Sequence, residues 1–293
     1  MLYIGTTRHL EELDGSYTLA LDVSVTSITT QRGGPSFVLL DGERVARINE
    51  LDVTPIAELS GARAQSIALV DRSELLVGLE GASLSLLASD GRLARLEAFE
   101  SVPGRQGWEN PAGSEPAVRS IAVSGGSWYV AVHVGGLWRS EDRGRSWQQL
   151  LEPGRDVHEV ATSGAGLCVA TAGGFGWSDD GGESWRWSTE GLHAPYCRAV
   201  ALSGETVYLS ASTGPRTADG RLYRARLGEA FSVCGGSLFS SFPANIDTGT
   251  VAADGSGVAF GTSSGQAYRS DDGGESWRQV TSEMRPVTFC RFA

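Results

Sequence analysis

Three short segments of the chain carry one frame. Ser140-Glu-Asp142-Arg-Gly144-Arg-Ser-Trp147, Ser178-Asp-Asp180-Gly-Gly182-Glu-Ser-Trp185 and Ser270-Asp-Asp272-Gly-Gly274-Glu-Ser-Trp277 all read Ser-X-Asp-X-Gly-X-X-Trp. The physics of such a frame is local. Serine and aspartate side chains bond backbone N–H groups inside a tight hairpin, and glycine permits the reversal. The tryptophan opens the next strand with a large apolar face. These carboxylates are therefore read as hairpin staples rather than as catalytic acids.

Each frame closes a similar run of strands. Arg119–Val123, Trp128–His133 and Leu137–Ser140 precede the first. Glu159–Thr162, Leu167–Thr171 and Gly174–Ser178 precede the second, and Thr248–Ala252, Val258–Thr262 and Gln266–Ser270 the third. Three strands, a hairpin and a fourth strand make a four-stranded blade. The frames start 38 and 92 residues apart, so one unmarked blade fits between the second and third. Its strands are Arg198–Leu202, Thr206–Ser210, Arg221–Arg226 and Phe231–Cys234, with Ala225, Arg226 and Leu227 where a staple would stand. Upstream, Gln65–Val70, Glu74–Leu79, Ser83–Ala88 and Arg92–Ala98 make another blade. Val25–Thr29, Phe37–Leu40, Glu43–Ile48 and Pro55–Leu59 make one more.

At the ends, Leu2–Thr6, His9–Leu13 and Tyr17–Asp22 lack a first strand, while Val287–Phe292 lacks its followers. Joining them removes an open seam. The expectation is an all-β, seven-bladed β-propeller over residues 1–293 as one domain, closed by the N-terminal strands plus the C-terminal strand. Six or eight blades are the neighbouring counts.

The chain is 41% hydrophobic and 20% charged, an ordinary globular balance. Its net charge of −11 repels phosphate backbones, so no nucleic-acid partner is expected. Apolar runs such as Leu75–Leu79 and Leu84–Ala88 fall far short of a membrane helix, which needs roughly 20 residues. The first residues, Met1-Leu-Tyr-Ile-Gly-Thr6, lack the basic and long apolar regions of a signal peptide. A cytoplasmic protein with no membrane partner is expected. Cys168, Cys197, Cys234 and Cys290 show no Cys-X-X-Cys pairing and read as free thiols.

In a blade, successive loops alternate between two ends. The long segments Glu100–Val118, Ser212–Gly220 and Gly235–Asp247 all fall at the end opposite the repeated hairpins, and rigid scaffolds carry function on such loops. Three of the four histidines, His133, His158 and His193, sit there at comparable positions of successive blades. Three imidazoles with an open position suit a divalent metal, zinc or iron. Glu159 and Asp247 are candidate bases and Tyr196 a candidate oxyanion donor. Arg119 and Arg198 are candidate clamps for a carboxylate or phosphate, with Trp108 and Asn245 completing the substrate-binding set. Separate readings stand beside these. The histidines can cap loops singly, Asn245 and Asp247 can staple their own loop, and Cys197 can pair with His193.

The repeated frame resembles the Asp-box, or BNR, repeat of sialidase-like propellers, from Arg119 to Val280. Glu190-Gly-Leu-His-Ala-Pro-Tyr-Cys-Arg-Ala-Val200 and Asn245-Ile-Asp-Thr-Gly249 are also similar to segments of soluble bacterial BNR-repeat proteins loosely labelled sialidase-like. The resemblance implies a propeller but no single activity, because the families that share it include glycoside hydrolases, sorting receptors and photosystem assembly factors. The leading expectation is a small-molecule site acting as an enzyme, a hydrolase or lyase, metal-dependent through the histidines. The alternative is a non-catalytic interaction or assembly-factor propeller with a protein partner, contacting it through Trp108, Phe239 and Phe242. A sialidase-like glycoside hydrolase is a second alternative. The Arg-Ile-Pro segment that such enzymes place before the first box is missing.

Overall fold

The computed structural model describes all residues except 14–16, 22, 32, 50–51, 109–112 and 282–284, and the side chains of 17–20. Asp22, assigned above to a strand, lies outside the described residues. The fold is a seven-bladed β-propeller of seven four-stranded antiparallel sheets.

Blade 1 comprises Val25–Thr30, Ser36–Leu40, Arg44–Asn49 and Asp52–Glu58. Blade 2 comprises Ala64–Leu69, Leu75–Leu79, Leu84–Leu87 and Leu93–Arg95. Blade 3 comprises Val118–Ser124, Ser127–Val132, Gly136–Ser140 and Gln148–Leu151. Blade 4 comprises Val157–Ser163, Gly166–Thr171, Gly174–Ser178 and Arg186–Ser188. Blade 5 comprises Tyr196–Ser203, Thr206–Ser212, Arg221–Arg226 and Ser232–Val233. Blade 6 comprises Val251–Asp254, Gly257–Gly261, Ala267–Ser270 and Arg278–Thr281. In blade 7 the C-terminal strand Val287–Phe292 pairs with Leu2–Thr6, which is followed by His9–Glu12 and Tyr17–Ala20. The two termini thus share one sheet, as the end segments implied.

Two strands depart clearly from expectation. The first of blade 6 begins at Val251 rather than Thr248. The fourth strand of blade 2 stops at Arg95 and the chain turns into a short helix, Glu97–Glu100. The turn buries Phe99 completely, edge-on to Trp147 at 4.8 Å. That burial outweighs continuation of an exposed edge strand.

The chain divides into two compact units, residues 23–160 and residues 1–22 with 161–292. In the first, Phe99, Trp108, Trp128 and Trp138 pack with Leu76 and Val130, and a second cluster gathers around Leu39, Ile67 and Val77. In the second, Cys168, Cys197, Leu209 and Tyr223 form one cluster and Tyr208, Phe242, Phe260 and Trp277 another. Leu2, Ile4, Val287 and Cys290 hold the shared terminal sheet. All four cysteines are free and buried. Burial pushes the thiols of Cys197 and Cys234 up to about 12, so they behave as small apolar groups.

The repeated frames are staples in every contact. In blade 4 the Gly182 N–H donates to Ser178 Oγ at 2.8 Å, and the Ser178 hydroxyl donates to Asp180 at 2.7 Å. Asp180 also accepts the Ser184 N–H at 2.9 Å and the Ser184 hydroxyl at 2.6 Å. The Trp185 indole N–H returns to the Gly182 carbonyl at 3.0 Å. The same bonds recur around Asp142 and Asp272. Neighbouring blades are tied by serines. Ser120 donates to the Val160 carbonyl at 3.4 Å, Ser66 to that of Val118 at 2.8 Å and Ser210 to that of Ile246 at 2.8 Å. No helix among the described residues is long and apolar enough to cross a membrane.

Candidate functional site

The polar side chains singled out above lie at the ends of the sheets of blades 3 to 6 opposite the box hairpins. Local backbone irregularity helps to aim them. The first strand of blade 3 shifts register between Val118 and Ser120, leaving Arg119 as the extra residue. That of blade 5 shifts between Cys197 and Val200, at Arg198. A bulge bends the strand and re-aims its side chain, and both candidate arginines sit on one.

In the unit of residues 23–160, two histidines meet one carboxylate. Asp156 follows the 3-10 turn Pro153–Arg155 with a left-handed φ of 45°. His133 Nε2 lies 3.7 Å from its Oδ1 and His158 Nε2 3.4 Å from its Oδ2. The imidazole centroids are 6.5 Å apart. Burial pushes the Asp156 carboxyl up. The His158 contact, His133 and Arg119 more than offset this and hold it below the usual carboxylate range. His158 is fully buried, while Glu159, next along the strand, is only partly so.

In the unit of residues 161–292, the cluster is built on blade 5 and the link into blade 6. Arg198 forms an ion pair with Asp247, and its guanidinium stands 5.6 Å from the Tyr196 ring centroid. Burial lowers the guanidinium pKa, but Asp247 and Tyr196 raise it further, so Arg198 stays charged. Asn245 is buried and donates to the carbonyls of Gly214 and Pro215 at 3.3 and 3.1 Å, tying the 213–219 loop to the link. Asp219 accepts the Thr213 N–H, the Thr213 hydroxyl and the Thr217 hydroxyl. His193 stacks on Tyr223. Its backbone N–H donates to the phenol oxygen at 3.1 Å, and its Nδ1 lies 2.7 Å from that oxygen. Its Nε2 faces Asp219 Oδ2 at 3.6 Å.

Several expectations change on this geometry. Among the described residues, no group of three or more His, Cys, Asp or Glu side chains is placed to hold a metal ion. His133, His158 and His193, expected to share a zinc or iron ion, form no such group among the described residues. Two of the three lie beside Asp156, and the third faces Tyr223 and Asp219. Trp108 is only 6% exposed and packs 5.8 Å from Trp138, with Arg105 over its ring, so it is a core residue rather than a substrate contact. Phe242 is likewise buried, whereas Phe239 is 63% exposed. Cys197 lies in the core and makes no pair with His193, whose Nδ1 is taken by Tyr223.

The partners missed above are Asp156, Asp219 and Tyr223. Asp156 sits in the turn just before the strand that carries His158, and Thr217-X-Asp219 is a local turn pattern. Tyr223 has no such signal, because its partner is 30 residues away.

No family model matches the chain, and no curated protein matches it in sequence. Solved structures do match. YCF48 bound to a D1 peptide gives a TM-score of 0.62 at 16% identity, covering 94% of this chain and 83% of that one. The WD40 repeats of RRP9 give 0.63 at 15%, covering 92% and 84%. An ancestral GH74 enzyme gives 0.62 at 16%, covering 91% of this chain but only 38% of the enzyme. Likeness at these identities establishes the propeller fold and nothing narrower.

Proposed function

We propose that this chain is a non-catalytic interaction propeller of the Asp-box type, binding a peptide segment of a protein partner on the loop end opposite the boxes. One observation carries the reading. Several loop-end groups face one another: Asp247 pairs with Arg198, His193 with Tyr223, and Asp156 lies within 3.7 Å of His133 and 3.4 Å of His158. The likeness to YCF48, a structure described with a bound peptide, supports the same reading.

The test is site-specific photo-crosslinking in the native cell. A benzoylphenylalanine at Arg216, exposed on the 213–219 loop, reports on the loop end, and one at Glu229, on an exposed turn at the box end, serves as control. Discrete protein adducts from position 216 alone are expected. Equal labelling from both positions, or none from either, sinks the proposal.

A further inference from the structure

Asp219 divides its two oxygens between two segments of the chain. Its Oδ1 accepts the Thr213 N–H at 3.2 Å, the Thr213 hydroxyl at 3.1 Å and the Thr217 hydroxyl, which closes the 213–219 loop on itself. Its Oδ2 faces Nε2 of His193, 3.6 Å away, on the link between blades 4 and 5. That is too long for a hydrogen bond, and about 0.7 Å of closure would make it one. The carboxylate is thus bonded to the loop and only near the link.

Both segments are otherwise fastened. In the link, the Phe231 N–H donates to the Glu190 carbonyl at 2.9 Å and the Leu192 N–H to that of Thr189 at 3.1 Å. Leu192 packs against the core cluster that holds Tyr223 and Phe231. In the loop, Asn245 donates to the Gly214 and Pro215 carbonyls. Between the two stands the His193 imidazole, its side chain 16% exposed.

The ring nitrogens decide how this gap responds to a proton. A neutral imidazole carries one N–H, so in either tautomer one ring nitrogen faces its oxygen neighbour without a proton. The imidazolium carries two. Nδ1 then donates to the Tyr223 oxygen, 2.7 Å away, and Nε2–H converts the contact with the Asp219 carboxylate into a charge-assisted bond. The charged groups that bear on the ring are Arg221, from the third strand of blade 5, and Asp219, from the loop; the Tyr223 phenol is its third titratable neighbour. Burial lowers the His193 pKa first and Arg221 lowers it further, against the pull of Asp219. The ring is therefore neutral at neutral pH and gains its charge below about 6.5.

We propose that His193 and Asp219 form a proton-operated clip between the blade 4–5 link and the 213–219 loop, open with a neutral imidazole and closed with an imidazolium. The proton is the switch, and the exposed loop is the element it fixes. The clip does not rest on the interaction reading above.

The experiment is an NMR titration of the intact protein from about pH 8 to about pH 4.5, following the histidine rings and the backbone amides together. His193→Asn identifies the His193 ring signal by its disappearance. The amides of Thr213, Thr217 and Asp219 are expected to shift with the midpoint of that ring, and the loop amides to gain several-fold hydrogen-exchange protection on its acid side. Asp219→Asn keeps an oxygen for the threonines but not the charge, so its His193 should titrate at lower pH and its loop should lose the response. Tyr223→Phe removes the phenol and leaves Asp219, so its loop should still follow the ring. Loop amides that stay still while His193 titrates, or that follow another histidine, overturn the proposal. So does a midpoint unchanged by Asp219→Asn, or a ring that stays neutral to about pH 4.5.

Discussion

Trp187 lies across Gly176 in blade 4, and the pair inverts what the other boxed blades do. The two residues are register partners in the third and fourth strands. The equivalent pairs are Trp138 with Gln149 in blade 3 and Tyr268 with Gln279 in blade 6. There the inner partner is a buried aromatic and the outer one a glutamine. In blade 4 the aromatic has moved to the edge strand, and a Cβ on Gly176 would sit 2.7 Å from its ring. The indole covers the hole its own sheet leaves, which accounts for a tryptophan 36% exposed on a three-residue edge strand.

Replacing Trp187 by alanine should therefore destabilise the fold by about 2 kcal/mol, less than a fully buried tryptophan because part of the ring is already wet. Gly176→Tyr alone should also destabilise, since both rings need one space. Gly176→Tyr with Trp187→Gln recreates the pairing of blade 6 and should recover at least about 1 kcal/mol of the summed losses. Urea titration of the four proteins closes the cycle. Simple additivity would show that the two positions do not share one volume.

The box aspartates set an acid limb. Asp180 and Asp272 are held well below the usual carboxylate range, first by the hydroxyls of Ser184 and Ser276 and then by their N–H groups; Asp142 lies at about 2 for the same reason. A depressed carboxyl adds stability that is fully present above its unfolded pKa of about 4 and is lost as pH falls through the folded value. Asp180→Asn with Asp272→Asn should be less stable than the parent at neutral pH. The difference should shrink steadily below about pH 4. Melting temperatures across that range provide the check, and a gap independent of pH would exclude the ionised staples as its source.

His193 works in the opposite part of the scale. Its folded pKa is lowered by burial and by Arg221, so the unfolded chain binds the proton more readily. Stability should fall as pH drops below about 6.5, until the lower folded value is passed. His193→Asn keeps an acceptor near Tyr223 but cannot titrate, and it should flatten that slope. Denaturant midpoints at about pH 5 and about pH 7.5 measure it. An unchanged slope would assign the effect to another group.

Asp247 and Arg216 make a contrast within one surface. Asp247→Asn leaves the mostly buried Arg198 guanidinium with a weaker partner. Because Asp247 is itself about one-third exposed, the cost should be only about 1–2 kcal/mol, below that of a fully buried pair. Arg216→Gln removes an exposed group with no ion-pair partner among the described residues and should leave the denaturation midpoint unchanged. Equal losses from the two variants would contradict the pairing described here.

The boxes, the blade repeat and the joining of both termini in one sheet were legible in the amino-acid order. Each is written locally, in side chains two to four residues from the backbone they bond and in strands that recur at similar spacing. The unmarked blade 5 was legible for the same reason, since alternation survives where the staple is lost. The loop-end chemistry was legible only as a list of residues. His133, His158 and His193 stand at matching positions in the order, but position along a strand does not say where an imidazole finds its partner. Asp156 claims two of them because a left-handed turn aims it back at the strand ends. Tyr223 claims the third because it packs there from 30 residues away. Trp108 and Phe239 look alike as loop aromatics, and only packing decided that one is core and the other surface. Local bonding is set by neighbours in the chain. Burial and charge pairing depend on segments that meet only when the sheets are assembled.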